Sequence, residues 1–284
     1  MSKVKVLELY GHATCNAEIN WQQIVSEQSC PFIQRKCLKV RKSEPENTIG
    51  TCSVEYGKDK KRIVICPHRF LEKQRIFIDS IHLLTLHEPG NDLHVVPEVT
   101  VPGGSVDYFL VSARNGNVND FVGIEIQALD TTGTIWPTRQ RFLQEKGINV
   151  MEKDVKPNKS LGVNWKMTAK TILVQLHHKL ETFEHLHKHL VLAAQDHFLD
   201  YVKRNFQFEH VKSPARLGDA LQIHSYTLNH VGECEFSLSL TNRFSTDIAG
   251  LAKSLGLQNS PKVGMEEIIS ILESKISNEN ILTI

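Results

Sequence analysis

The sequence has no apolar run long enough to cross a bilayer. Hydrophobic residues make up 40% of its 284, yet no stretch approaches the ~20 residues of a membrane helix. The start, Met1-Ser2-Lys3-Val4-Lys5-Val6, lacks an apolar segment followed by a small-residue cleavage site, so a cytosolic protein is expected. A large net charge is also missing. The balance of +1 neither demands nor excludes a polyanionic partner. Cysteine is sparse at six residues, and no two form a Cys-x-x-Cys knuckle. His185 and His189 have i,i+4 spacing but no zinc-protease Glu beside them, so they read as an exposed helix face.

The charge that is present is unevenly distributed. Residues 1–80 carry fourteen Lys and Arg against nine Asp and Glu, a net of +5. From Ile81 to Asp130 there are seven acids and one base, a net of −6. Such asymmetry suggests two parts, 1–80 and 81–284. The first has a mostly polar middle, Gln34 to Arg62, and five of the six cysteines. Its thiols are the expected source of folding energy. Cys30, Cys37, Cys52 and Cys66 are the candidate ligands, because four thiolates in a tetrahedral set suit Zn²⁺ or Fe. His68 is a possible substitute, Cys15 a spare, and Cys234 a small buried apolar residue. Without a knuckle, unrelated buried thiols remain the competing reading.

In the acidic part, Val106 to Val111 and Phe121 to Asp130 are β-branched and aromatic enough to be strands. Asn115-Gly116 between them is a strong hairpin signal. A hairpin symmetric about Gly116 puts Asp107 opposite Glu125. Alternation then puts Gln127 on the Glu125 face. Opposed carboxylates repel and destabilise a strand pair. A divalent cation between them removes the conflict, and Mg²⁺ suits one or two carboxylates completed by water and phosphate. Isolated strand acids are commonly solvated edge residues, but these have apolar neighbours. Glu98, just upstream, is a further candidate for the metal shell.

The pattern Asp, hairpin, Glu-x-Gln resembles the PD-(D/E)XK nuclease core, with Gln127 where that class usually has Lys. The wider text resembles the NotI-type restriction endonucleases more closely. The shared phrases are Cys30-Pro31-Phe32, Gly50-Thr51-Cys52-Ser53, Ile65-Cys66-Pro67, Gly103-Gly104-Ser105-Val106-Asp107-Tyr108, Glu125 through Thr134, and Asn164-Trp165-Lys166-Met167. The resemblance implies an α/β (α+β) fold: a mixed sheet flanked by helices with a PD-(D/E)XK restriction-endonuclease-like core. A small N-terminal four-cysteine fold binding iron or zinc would precede it. It implies a type II restriction endonuclease, cytoplasmic and prokaryotic. Such an enzyme makes Mg²⁺-dependent double-strand cuts at a palindromic, GC-rich sequence, acts as a homodimer, and leaves 5′-phosphates. Asp107 and Glu125 would hold Mg²⁺, with Gln127 and Glu98 completing the catalytic set. Gln127 lacks a charge and a titratable proton, so it can orient a water but cannot act as a base. A repair or recombination nuclease and a catalytically silent DNA-binding protein are the alternatives.

Double-stranded DNA as partner draws attention to scattered basic residues. Arg35, Lys36, Arg139, Arg141, Lys166 and Lys170 are the candidate DNA contacts, with Lys153 to Lys159 adding charge. Elsewhere, Phe70 to Ile81 has helical apolar spacing. Residues 165–206 read as a long helical span with a break near Leu192 to Asp196. Ala220 to His230 and Glu233 to Asn242 read as strands. Thr246 to Leu257 and Met265 to Ile276 read as helices carrying no recognisable chemistry.

Overall fold

The structure is a computed structural model. It describes residues 4–132, 134–156, 161–256 and 265–275. Gly133, residues 157–160 at the end of the basic stretch, Leu257 and Ile276 lie outside the described residues.

Two sheets organise the chain. The first is antiparallel and four-stranded, in the order β2-β1-β3-β4. Its strands are β1 (Lys5–Leu9), β2 (His12–Ala13), β3 (Thr51–Tyr56) and β4 (Lys61–Val64). Helix α1 (Trp21–Glu27) follows β2, with Asn20 as its N-cap. The second sheet is six-stranded and mixed, in the order β10-β9-β8-β7-β6-β5. Its strands are β5 (Asp92–Val101), β6 (Gly104–Arg114), β7 (Asn117–Gln127), β8 (His189–Gln195), β9 (Leu221–Val231) and β10 (Glu235–Thr246). The pairs β7–β8 and β8–β9 are parallel, and the rest are antiparallel. Parallel neighbours need long crossovers. Here α2 (Trp136–Glu145) and α3 (Trp165–His185) lead from β7 to β8, and α4 (Asp196–Asn205) leads from β8 towards β9. The last helices are α5 (Ile248–Ser254) and α6 (Met265–Glu273). This is the expected mixed sheet flanked by helices.

Burial explains the layering. Leu190 and Leu192 of β8 join one apolar cluster with Leu173, Leu176, Leu180 and Phe183 of α3. Val191 and Ala193 point the other way, towards Phe70, Ile76 and Phe77. The N-terminal sheet contributes to both layers, through Val54 and Ile63 to the first and Leu7 and Val64 to the second. Arg69 ties it down further. The guanidinium, 1% exposed, bonds Glu8 at 2.9 Å, Glu72 at 2.9 Å and the Phe236 carbonyl at 2.9 Å. Burial nevertheless raises the Glu8 pKa, with Arg69 opposing the shift. No described helix is long and apolar enough to cross a membrane.

Two expected helices differ. Phe70 to Ile81 is broken into short turns because Glu72 is extended and Lys73 and Gln74 take positive φ. The span 165–206 is interrupted not by a bend but by β8, buried at all seven positions. A parallel strand covered on both faces has no polar alternation to reveal it. His189 therefore lies in a strand rather than on a helix with His185, and its Nε2 meets the Leu217 carbonyl at 2.8 Å.

Candidate active site

The hairpin closes on Asn115 and Gly116, whose φ values of 52° and 79° suit a two-residue turn between right-twisted strands. Arg114 pairs with Asn117, and a bulge between Ser112 and Ala113 shifts the register by one. Below the bulge Tyr108 pairs with Ile124. Asp107 and Glu125 are the next residue on each strand, just past this last pair of the ladder. Asp107 Oδ2 accepts a hydrogen bond from the Ile126 N–H at 2.8 Å, so the side chain completes the pairing at the strand end.

Both acids face α3. Phe109, two residues after Asp107, stacks on Phe183 of α3. Gly123, two before Glu125, lies so close to Phe183 that a Cβ would come within 2.4 Å of its ring. On the neighbouring edge strand, Pro97 pairs with Tyr108 and Val99 with Val106, which sets Glu98 alongside Asp107. Glu98 is exposed and has φ +52°. Glu98, Asp107 and Glu125 thus form one row across three strands.

The row crowds negative charge. Burial, the largest influence, raises the Asp107 pKa; Glu98 adds to the rise, while the Ile126 N–H and Lys179 oppose it. Glu125, 4% exposed, is pushed up to about 7. Burial is again the main cause and Asp107 a further one, with Lys179 opposing. Lys179 of α3 donates to Glu125 Oε1 at 2.6 Å. It sits on the helix's buried face with Ile172, Leu176, Leu180 and Phe183. A Lys within an apolar stripe is the sequence signal for such a residue. Gln127 donates its amide to the Ala128 carbonyl. It lines a cleft with Lys39, Cys66, His68 and Asp130. Asp130 accepts from Thr168 Oγ1 at 3.2 Å and, through its carbonyl, from the Asn164 N–H at 2.8 Å, which pins the start of α3.

Cys30, Cys37, Cys52 and Cys66 are all buried with free thiols. Burial raises the pKa of Cys30, of Cys52 and of Cys66, the last to about 11. Each also feels neighbours of the set: Cys30 feels Cys37, Cys52 feels Cys66 and Cys30, and Cys66 feels Cys37 and Cys30. Among the described residues no three Cys, His, Asp or Glu side chains stand at metal-ligand geometry. Cys15 and Cys234 correct the expectation. They are neither spare nor isolated but form a disulfide, with Cα atoms 5.8 Å apart. β2 packs beside β10, which brings together residues 219 apart in sequence.

The cysteine-bearing segment adjoins the acidic row. His68 Nδ1 lies 3.9 Å from Cys66 Sγ. Burial lowers the His68 pKa, Arg35 lowers it further and Asp107 opposes, so the three share one neighbourhood. Arg35, Lys36, Lys166 and Lys170 are exposed. Arg139 is buried, bonding the Ile49 carbonyl at 2.8 Å, Gln140 at 2.7 Å and the Tyr10 hydroxyl at 3.2 Å. Arg141 donates to the Val155 carbonyl at 3.0 Å and Thr138 Oγ1 at 3.2 Å.

A search of curated proteins finds no match to the chain. The family model described as "Restriction endonuclease NotI" matches residues 16–215, a span that includes the four free thiols, the hairpin and α3. With most of its 284 residues matched, the chain belongs to the NotI restriction endonuclease family and is a type II site-specific deoxyribonuclease.

Proposed function

We propose that this chain cuts both strands of DNA by Mg²⁺-dependent hydrolysis at a palindromic, GC-rich sequence, leaving 5′-phosphates, and that Asp107 and Glu125 carry the reaction on a PD-(D/E)XK core. The observation that carries the reading is the opposed pair. Two carboxylates with raised pKa values face each other, a third acid stands alongside, and one ammonium offsets them. The carboxylate oxygens suit a hard divalent ion by their donor chemistry, although among the described residues no three such side chains stand at metal-ligand geometry. Asp107 and Glu125 would hold Mg²⁺, with Glu98 as a further ligand. When bound, Mg²⁺ would lower the pKa of a water and offset charge on the phosphate. Gln127 orients that water through its amide. A water oxygen forms the new bond to phosphorus, the P–O3′ bond breaks, and the 3′ oxygen leaves as a hydroxyl.

We assign the two parts different duties. Residues 1–80 form a DNA-contacting unit, and 81–284 form the cleaving unit. The four thiols fit a thiophilic ion by donor chemistry, being buried and within electrostatic reach of one another. Cys30, Cys37, Cys52 and Cys66 would hold Fe or Zn as a structural staple. Arg35, Lys36, Lys166 and Lys170 supply phosphate contacts. Arg139 and Arg141 act by joining α2 to the N-terminal part and to the segment after it. A homodimer matches a palindrome, and the enzyme works in a prokaryotic cytoplasm.

The test is a digestion of DNA of known sequence with and without Mg²⁺, beside Asp107→Ala. Discrete Mg²⁺-dependent fragments with one palindrome at every end, ligatable without phosphorylation, are expected for the parent alone. Intact DNA in a retarded complex, or cutting by the variant, overturns the assignment.

A further inference from the structure

Gln127 places no positive charge beside the reacting groups, but another element reaches them. We infer that Lys179, projecting from α3, is the fixed cation of the cleavage site and takes over the task that an uncharged Gln127 leaves undone. The inference rests on the reading of Asp107 and Glu125 as the reacting pair.

Geometry comes first. The Lys179 ammonium contacts Glu125 Oε1 at 2.6 Å, and both side chains are nearly enclosed, at 7% and 6% exposure. Whatever Glu125 binds lies within a side chain's reach of that ammonium.

The surrounding backbone is cut away to admit it. The turn from β5 to β6 is Pro102-Gly103 and Gly104 opens β6, with φ of +95° at Gly103 and +133° at Gly104. A Cβ on Gly103 would stand 2.3 Å from the His178 carbonyl oxygen, the residue before Lys179. A Cβ on Gly104 would stand 3.2 Å from Lys179 Cε. The same turn leads directly into Asp107. The glycines thus seat α3 against the strand that carries the first acid, and they leave a channel for the lysine stem.

Stability alone does not account for the pair. Burying two opposite charges costs as much solvation as their attraction returns, and apolar residues of similar volume commonly do as well. Lys179 interrupts an apolar stripe that Ile172, Leu176, Leu180 and Phe183 otherwise complete. The Arg69–Glu8 pair is buried as fully and serves the fold; Lys179 differs in lying against a carboxylate of the reacting pair. As the water oxygen bonds to phosphorus and the P–O3′ bond breaks, negative charge gathers on the phosphate oxygens. A fixed ammonium in a water-poor site stabilises that charge without reorganising. Of the water's two protons, one remains on the new 5′-phosphate and the other ends on the 3′ hydroxyl.

Four variants decide the matter: K179M, K179R, the double variant Q127K/K179M, and D107A. Each is read by single-turnover cleavage with Mg²⁺, by DNA affinity with Ca²⁺ in place of Mg²⁺, and by thermal melting. K179M should slow cleavage by about 100-fold or more, the usual effect of losing one transition-state charge contact, with DNA affinity within about threefold of the parent. K179R should be faster than K179M, and Q127K/K179M should regain at least about tenfold, since a lysine on the strand restores the missing charge. Should K179M fail to fold, folding and cleavage by the double variant still carry the prediction. Parent-like cleavage by K179M overturns the inference, as does a folded double variant that cuts no faster than K179M. Loss of folding in both K179M and the double variant assigns Lys179 to the fold and overturns it too. Cleavage by D107A instead overturns the underlying reading of the pair.

Discussion

Protons should compete with the divalent ion at the opposed pair. An ordinary Glu titrates at 4.5, and Glu125 is held at about 7. In the folded chain it therefore keeps a proton that the unfolded chain has already released between these two values. Folding takes up a proton in that window. The contribution to stability is complete below about 4.5 and is lost as pH rises through about 7. At about 1.4 kcal/mol per pH unit it is on the order of 3 kcal/mol. A metal needs the carboxylate, so its binding runs in the opposite direction. At pH 6 roughly a tenth of Glu125 is ionised and at pH 8 roughly nine-tenths, by the usual titration relation. Apparent affinity should fall about tenfold per pH unit below 7 and level off above it. Calorimetric titration of the metal-free protein with Mg²⁺ at pH 6, 7 and 8, in buffers of different ionisation enthalpy, reads both quantities. Nearly one proton should be released per ion at pH 6 and almost none at pH 8, and Glu125→Gln should remove the difference. Equal affinity at pH 6 and 8 with no proton release refutes the reasoning.

Three further outcomes follow from the packing. Arg69→Met leaves Glu8 buried without its partner and frees the Phe236 carbonyl; unfolding in denaturant should show a loss of about 3–5 kcal/mol. Gly103→Ala combines a positive φ with a Cβ 2.3 Å from a backbone oxygen. It should lower the melting temperature by several degrees, for a cost of about 2 kcal/mol or more, and reduce cleavage by shifting α3. The Cys15–Cys234 disulfide closes a loop of 219 residues. Replacing both by Ser should lower stability by up to about 5 kcal/mol on the chain-entropy account, read from denaturation midpoints, and should abolish faster migration on a non-reducing gel.

The acidic hairpin was legible because local rules write it. Asn115-Gly116 marks the turn, and apolar residues on both sides of Asp107 and Glu125 mark the strands. Symmetry about Gly116 gives the observed register, although for a compound reason. The turn is centred half a residue earlier, and the bulge at Ser112 restores the difference. What escaped depends on distance or on burial. Leu190 to Ala194 looks helical because a strand covered on both faces has no alternation. The disulfide joins residues that only the finished fold makes neighbours. Arg139 reads as a surface base, yet its guanidinium fills a gap between α2 and the N-terminal sheet. Lys179 does not stand out among helix residues because long basic side chains are ordinarily solvated. Its place in the apolar stripe was the visible sign.

The central claim is that the opposed carboxylates of β6 and β7 are where the phosphodiester is broken. The most direct test is a crystal of the enzyme on its cognate DNA with Mn²⁺ in place of Mg²⁺, located by anomalous scattering. The account predicts a peak about 2.0–2.2 Å from carboxylate oxygens of Asp107 and Glu125, the range of hard-ion ligation, with the scissile phosphate on the same ion. A phosphate-bound peak elsewhere, with Asp107 and Glu125 still paired only to the Ile126 N–H and Lys179, would contradict it.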